Sequence, residues 1–201
     1  MTTLQDIKSR FRLMMNGVAS KSMRDKGMGY KINWGIGLPE LKQLAAEYGK
    51  DHDLAVQLWK EDIRECKLLA TMMMPADKMQ TDMVELWGSE LPNQEVAEML
   101  AFHLLRHVEG IKDIALKWLA TDNELMQLCG YQTLARLFAK DVDLDTRELN
   151  EVIDQAQVAW CTGGLGLRHA VANAMQRLAD RSEEYGKILK SAFKNIDLDI
   201  F

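Results

Sequence analysis

The sequence predicts an all-α fold in which pairs of helices stack into an α-α solenoid. No segment shows the period-2 alternation of β-branched residues that marks a strand, and only three prolines interrupt the helical pattern of 201 residues. Trp59, Trp118 and Trp160 each end an amphipathic stretch that precedes a second apolar one. The last two are 42 residues apart, which is the period expected of repeated helix pairs. Such pairs stack into a superhelix with one long concave face.

The first predicted element is an amphipathic helix over residues 3–17. Its apolar residues recur at spacings of three and four, and Thr3 can serve as its N-cap. Four glycines within residues 25–37 then predict a loop. Pro39 suits the first turn of the next helix, which Gly49 ends.

Nine further helices are predicted, most of them bounded by residues that cap or break a helix. Pro75 ends the helix that begins at Ile63, and Thr121, Asp122 and Asn123 cap the helix that follows them. The predicted ranges are about 51–60, 63–74, 76–87, 94–108, 109–120, 123–139, 146–160, 167–180 and 183–194. About eleven helices joined by short turns are typical of an all-α array, and the imperfect repeats are best described as HEAT-like.

The length of the chain suits a single domain over residues 1–201. We expect the N-terminal helix within residues 1–24 and the C-terminal helix within residues 183–201 to pack as caps. Cys66, Cys129 and Cys161 lie far apart in apolar helical sequence, which indicates reduced, buried thiols in a cytoplasmic protein. The sequence shows neither a signal peptide nor an apolar run of about 18 residues, so we expect no membrane association.

The sequence offers no recognisable metal or cofactor site. His103 and His107 are four residues apart on one predicted helix face, but no third ligand stands at a suitable spacing. The glycine run 163–166 lacks the Lys-Ser/Thr of a phosphate-binding loop and follows no strand. We therefore expect neither a metal nor a cofactor. The methionine run 72–74 is interpreted as core, although exposed methionines would indicate a plastic partner surface.

The second helix of each predicted pair carries a recurring basic residue. If these helices line the concave face, their cations would contact the phosphates of a polyanion. The alternative is that they are solvated charges balanced by nearby acids, and the net charge of −5 shows no global basic surplus. The candidate residues for phosphate contacts are Arg64, Lys67, Arg106, Lys117, Arg168 and Arg177.

Three blocks carry a family resemblance, namely Asn33–Glu40 (NWGIGLPE), Leu58–Arg64 (LWKEDIR) and, most specifically, Lys117–Asn123 (KWLATDN). The chain resembles, from about residue 10 to 195, the DNA alkylation repair proteins, bacterial glycosylases built from HEAT-like repeats that remove 3- and 7-alkylated purines. The resemblance implies a superhelix whose positively lined concave face grips duplex DNA through its backbone.

The resemblance also implies a catalytic set, and at this point the sequence departs from the family. Active members use an aspartate, two tryptophans and an arginine to stabilise an oxocarbenium-like sugar. Aligned without gaps on Lys117-Trp118, and on a later repeat for the last position, this chain has Ser89, Asn93, Leu128 and Asn173 at those positions. No carboxylate remains there, so base excision is not expected unless a local shift brings Trp87, Glu90 or Glu95 into the site.

Two classes of function remain open. The first is a DNA-binding member of this family whose partner is duplex DNA, including alkylated or otherwise damaged DNA. The second is a non-catalytic helical-repeat scaffold that binds a protein or peptide. A positive concave face would favour the first, and an apolar, methionine-rich concave face would favour the second. A monomer rather than an oligomer is expected in either case.

Overall fold

The computed structural model describes residues 2–194, and within that range it confirms the predicted all-α fold. The described residues contain no strand, only one isolated parallel bridge between Ile32 and Ile63. Two 3-10 turns, Ala76–Lys78 and Leu105–His107, accompany twelve α-helices. The helices are α1 (Leu4–Leu13), α2 (Gly17–Asp25), α3 (Leu38–Tyr48), α4 (His52–Lys60), α5 (Arg64–Met73), α6 (Thr81–Ser89), α7 (Gln94–His103), α8 (Ile111–Leu119), α9 (Glu124–Phe138), α10 (Thr146–Thr162), α11 (Leu165–Ala179) and α12 (Glu183–Ala192).

The chain divides after Gln80 into two compact units. In the first unit α5 packs against both α3 and α4, and α1 lies against α4. Ion pairs from Lys8 to Glu61 at 2.8 Å and from Arg10 to Glu47 at 3.0 Å hold α1 in place. The methionine run 72–74 is buried, which confirms its interpretation as core.

One helix of the first unit was missed by the sequence prediction. The helix predicted over residues 3–17 ends at Leu13, and the separate helix α2 begins at Gly17. The break lies at Asn16, whose side-chain oxygen accepts a hydrogen bond from the Ala19 amide at 3.0 Å and so caps α2. The apolar pair Met14-Met15 continued the helical period of α1 in the sequence and hid this break.

The second unit has the two-layer arrangement of repeated helix pairs. Helix α8 packs against α9 and α10 against α11, while α9 lies between α7 and α11. The helices α7, α9 and α11 therefore form a row of neighbours, the second-helix row. Helices α8 and α10 contact each other and form the first-helix layer. Helix α12 packs on α11, and residues 195–201 of the predicted C-terminal cap lie outside the described residues.

The cysteines fit the prediction only in part. Cys66 and Cys129 are buried, and burial raises the pKa of each thiol to about 12. Cys161, in the last turn of α10, is exposed, so the prediction of three buried thiols is wrong at this position. None of the described helices is both long and apolar enough to cross a membrane.

Candidate nucleic-acid interface

Arg64, the first of the predicted phosphate contacts, lies inside the first unit. Its side chain is 4% exposed, and its guanidinium donates to the Ile36 carbonyl at 2.8 Å and to Glu65 at 3.2 Å. Glu65 is itself fully buried and accepts hydrogen bonds from the Trp34 and Ile36 amides. This buried pair pins the glycine-rich loop to α5. Because a phosphate contact requires an exposed cation, the buried Arg64 is unsuited to this role.

The charges of two further candidates are balanced or shielded within their own units. The ammonium of Lys67 lies 4.5 Å from the ring centre of Trp59. Lys117 lies on α8 in the first-helix layer and forms an ion pair with Glu85 at 2.7 Å. Of the two interpretations of the basic residues, the solvated, balanced charge describes Lys117 better than a phosphate contact does.

The most specific block of the family resemblance, Lys117–Asn123, has a structural role here. The indole of Trp118 is fully buried and donates to Glu85 at 2.9 Å. Partial burial disfavours the charged form of Glu85 and acts to raise its pKa. The hydrogen bonds from Lys117 and Trp118 favour the charged form more strongly, so the pKa of this carboxyl is lowered. At the end of the block Asn123 accepts hydrogen bonds from the first amides of α9. The block therefore fixes α8 to α6 and starts α9.

Arg106 and Arg177 lie on or beside the second-helix row, and the structure adds Arg136 between them. Arg106 follows α7, Arg136 is in the last turn of α9, and Arg177 is in the last turn of α11. The guanidinium carbons of Arg106 and Arg136 lie 5.0 and 5.3 Å from the ring centre of Phe102. We call Arg106, Arg136 and Arg177 the arginine cluster. Lys140 joins it from the end of α9, where its ammonium donates to the Arg106 carbonyl at 3.1 Å.

Polar side chains of the same row position Arg136. One amino group of its guanidinium donates to the Gln132 side-chain oxygen at 3.0 Å, and the Asn173 amide donates to that same oxygen at 3.1 Å. The Nε of Arg136 is buried and has no hydrogen-bond partner among the described residues. The hydrogen bonding of this half-buried cation is thus incomplete, and an incoming phosphate would contact the accessible part of the guanidinium rather than the buried Nε.

Like charges raise the energy of this cluster. The pKa of Arg136 is lowered, mainly by burial and then by the positive charges of Arg106 and Arg177. The negative charge of Glu98 acts in the opposite direction. An arginine stays protonated despite such a shift, so the repulsion remains in the folded protein. A polyanion bound at the cluster would relieve it.

Arg168, the last candidate, is exposed in the first turn of α11, whereas Arg177 is in the last turn. Nine residues of helix separate them, or about 13 Å along the axis. Nine residues are also about two and a half turns, so Arg168 projects from the opposite side of α11 and does not share the surface of the cluster.

The four positions aligned with the family's catalytic residues have mainly structural roles. Ser89 is exposed at the end of α6, where its hydroxyl donates to the Leu86 carbonyl, and Leu128 is buried in the core. Asn93 is the N-cap of α7, and Asn173 holds Gln132. Trp87, the aromatic residue nearest to Ser89 in the sequence, is only 2% exposed and so presents no aromatic face at the surface.

Sequence reasoning missed Arg136 because it stands within an apolar stretch of α9. A signal for it was nevertheless present. Gln132 and Arg136 recur 41 residues later as Asn173 and Arg177, so the same polar pair occupies the same place in two successive repeats. The repeat period, applied to polar rather than to aromatic residues, would have found it.

Comparison with known proteins agrees with this architecture. The family model described as DNA alkylation repair enzyme matches residues 7–158, so the chain belongs to the DNA alkylation repair family. The fold is also that of a solved structure described as belonging to a new family of proteins related to the HEAT-like repeat DNA glycosylases with affinity for branched DNA structures. That similarity has a TM-score of 0.85 at 14% identity and covers 97% of this chain and 83% of the other. No curated protein matches the chain significantly.

Proposed function

We propose that this protein binds DNA through the sugar-phosphate backbone, with the arginine cluster and Lys140 as its main phosphate contacts. The observation that carries the proposal is the convergence of Arg106, Arg136 and Arg177 at the ends of neighbouring repeats. Arg106 and Arg136 lie 5.0 and 5.3 Å from the same Phe102 ring, and the charge of Arg177 acts on Arg136. The guanidinium fork suits phosphate oxygens, and contacts to phosphates bind DNA without reading its sequence.

A cluster on one row of helices also reconciles DNA binding with a net charge of −5. Local positive potential, rather than the total charge, governs the approach of a polyanion at distances within a Debye length of about 8 Å. The scaffold alternative is less well supported, because only Met15 of the twelve methionines within residues 2–194 is exposed. Five of the others are buried, namely Met72, Met73, Met74, Met79 and Met175.

The preferred DNA structure follows from the comparison rather than from the cluster. Contacts to phosphates alone cannot distinguish a plain duplex from an alkylated or branched one. Because the similar solved structure belongs to proteins with affinity for branched DNA structures, we propose branched DNA as the preferred form and plain duplex as a weaker partner.

Base excision is not part of the proposed function. Asn93 supplies a dipole where a carboxylate would be needed, and the aligned aromatic positions are Ser89 and Asn173. Asn93→Asp restores the carboxylate and keeps the N-cap, since aspartate caps a helix as well as asparagine does. We expect wild-type protein to release no 3-methyladenine or 7-methylguanine from alkylated DNA, and Asn93→Asp to give a slow, measurable release.

The experiment that tests the proposal compares four labelled DNAs in one titration, namely plain, alkylated, abasic and branched. We expect binding to all four, tightest to the branched DNA, with affinity that falls steeply as salt is added. Release of alkylated base is measured on the same samples. Absence of binding at low salt, or binding that salt leaves unchanged, would refute the proposal and favour a protein-binding scaffold.

A further inference from the structure

The N-terminal segment has a charge opposite to that of the rest of the chain. Residues 2–31 contain seven Lys and Arg against two Asp, a net charge of +5 in a protein whose total is −5. Two of these cations, Lys8 and Arg10, form the ion pairs that dock α1. Arg12 and Lys21 are exposed, and no ion pair is seen for either within residues 2–194. The proposed phosphate contacts of the second unit make no use of this segment.

Exposed apolar side chains lie between those cations. Leu13 is 87% exposed, Met15 57% and Val18 83%, and all three lie at the turn between α1 and α2. We call residues 13–18 the apolar tip. Three exposed apolar side chains within six residues make this segment a candidate contact surface. Arg12 precedes the tip and Lys21 follows it one helical turn after Val18, so a partner with both apolar surface and negative charge would suit it.

The apolar tip is held rigidly by the glycine-rich loop. The Asn16 amide donates to the Trp34 carbonyl at 2.9 Å, and the Ser20 hydroxyl donates to the Asn33 carbonyl at 2.6 Å. Gly35 has a φ of +73°, and a Cβ at that position would collide with the backbone of Asn16 and Ser20. The block Asn33–Glu40 therefore positions the tip, and the buried Glu65 in turn fixes the block.

We propose that the apolar tip is a wedge that inserts Leu13 and Val18 against an unstacked base step of DNA, while Arg12 and Lys21 contact the flanking phosphates. This inference rests on the proposed function and supplies the element that distinguishes branched DNA from a plain duplex. Bases at a branch point are already partly unstacked, so insertion there costs less than in a continuous duplex. The aromatic or aliphatic faces of such wedges replace the lost stacking.

The shape of the patch favours a base step over a lipid surface. A helix that lies on a membrane exposes an apolar face along its whole length. In α1 the apolar face is turned inward instead, since Ile7 and Phe11 are fully buried. The exposed apolar side chains of the patch are confined to the short segment 13–18 at the end of the helix, which suits a local contact better than a membrane surface.

The test uses the full chain with Leu13→Ser and Val18→Ser combined. The readouts are affinity for branched and for linear DNA, and the fluorescence of 2-aminopurine placed at the branch point. We expect affinity for branched DNA to fall about tenfold, affinity for linear duplex to stay unchanged, and the fluorescence increase on binding to disappear. Both side chains are exposed, so the thermal midpoint should stay near that of the wild type. The matched control is Leu86→Ser with Val158→Ser, which removes two other exposed apolar side chains and should change nothing.

Each outcome separates this inference from the proposed function. Wild-type binding without preference for branched DNA, or a preference that survives in the tip variant, would overturn the wedge and leave phosphate binding intact. Loss of binding to linear and branched DNA alike would also overturn it, because the tip would then be a general contact. Tip-dependent binding to vesicles that contain anionic lipid, with DNA affinity unchanged, would assign the tip to a membrane instead. No DNA binding by the wild type would refute both proposals.

Discussion

Removal of two cluster arginines should change the salt dependence of DNA binding by a predictable amount. Arg106, Arg136, Lys140 and Arg177 supply four proposed phosphate contacts, and each contact adds about −0.9 to the slope of log affinity against log salt. The wild-type slope is therefore about −3.6, and affinity falls about 150-fold between 50 and 200 mM salt. The combined change Arg136→Gln and Arg177→Gln should reduce the slope to about −1.8 and the fall to about 12-fold.

The assay is fluorescence anisotropy of a labelled duplex at five salt concentrations in this range. Lys117→Gln with Arg147→Gln is the matched control, because it removes two cations from the first-helix layer and leaves the cluster unchanged. The reasoning is refuted if both double variants change the slope equally, or if the cluster variant keeps the wild-type slope. Thermal melting of each variant checks that the loss of the Arg136 hydrogen bond to Gln132 has not unfolded the second unit.

Three further predictions concern the packing of the second unit and its thiols. Glu85→Gln should lower the free energy of unfolding by about 1 kcal/mol at pH 7 in urea titrations, because it weakens the hydrogen bonds from Lys117 and Trp118. Folding lowers the pKa of Glu85, so this loss of unfolding free energy should be full at pH values above the ordinary carboxyl pKa. It should disappear as pH falls through the lowered pKa, because Glu85 then becomes protonated. A loss that stays constant down to about pH 2 would contradict this prediction. Gly88→Ala should destabilise by about 1–3 kcal/mol, because its Cβ would lie 2.5 Å from the buried Trp118 ring; an unchanged melting temperature would contradict the packing. A disulfide reagent should modify Cys161 rapidly and the two buried thiols only after unfolding, whereas three equally fast thiols would be inconsistent with the fold.

The sequence predicted the helices best where a cap or a breaker stands at each end. Helix α3 has Pro39 in its first turn and ends at Gly49 as predicted, and Asn123 is the N-cap of α9. These signals act within one helical turn and need no tertiary partner. The boundary at Asn16 was missed although its cap is equally local, because an apolar period that runs through a break hides it.

The candidate site was harder to predict because exposure of a cation is a long-range property. Arg64 and Arg106 look alike in the sequence, yet the carbonyl of Ile36, 28 residues earlier, and the neighbouring Glu65 hold Arg64 in the core. Arg136 is the opposite case, because it stands in an apolar stretch and yet is only half-buried. Its guanidinium lies beside Phe102 and Gln132, which belong to the second-helix row. Neither outcome can be read from the helical period, which gives the face of a helix and not its neighbours. Only the 41-residue repeat of Gln132 and Arg136 as Asn173 and Arg177 indicated the position of Arg136.

The central claim is that the Arg136 guanidinium contacts a DNA phosphate, and its Nε–H signal in proton–nitrogen NMR spectra tests this most directly. The signal is assigned from the spectrum of Arg136→Gln, and wild-type protein is titrated with branched DNA. We predict a large shift of the Arg136 signal that saturates with binding, because a phosphate at the accessible part of the guanidinium changes the electric field at the adjacent Nε–H. A signal that stays unmoved at saturating DNA, while other arginine signals shift, would contradict the account.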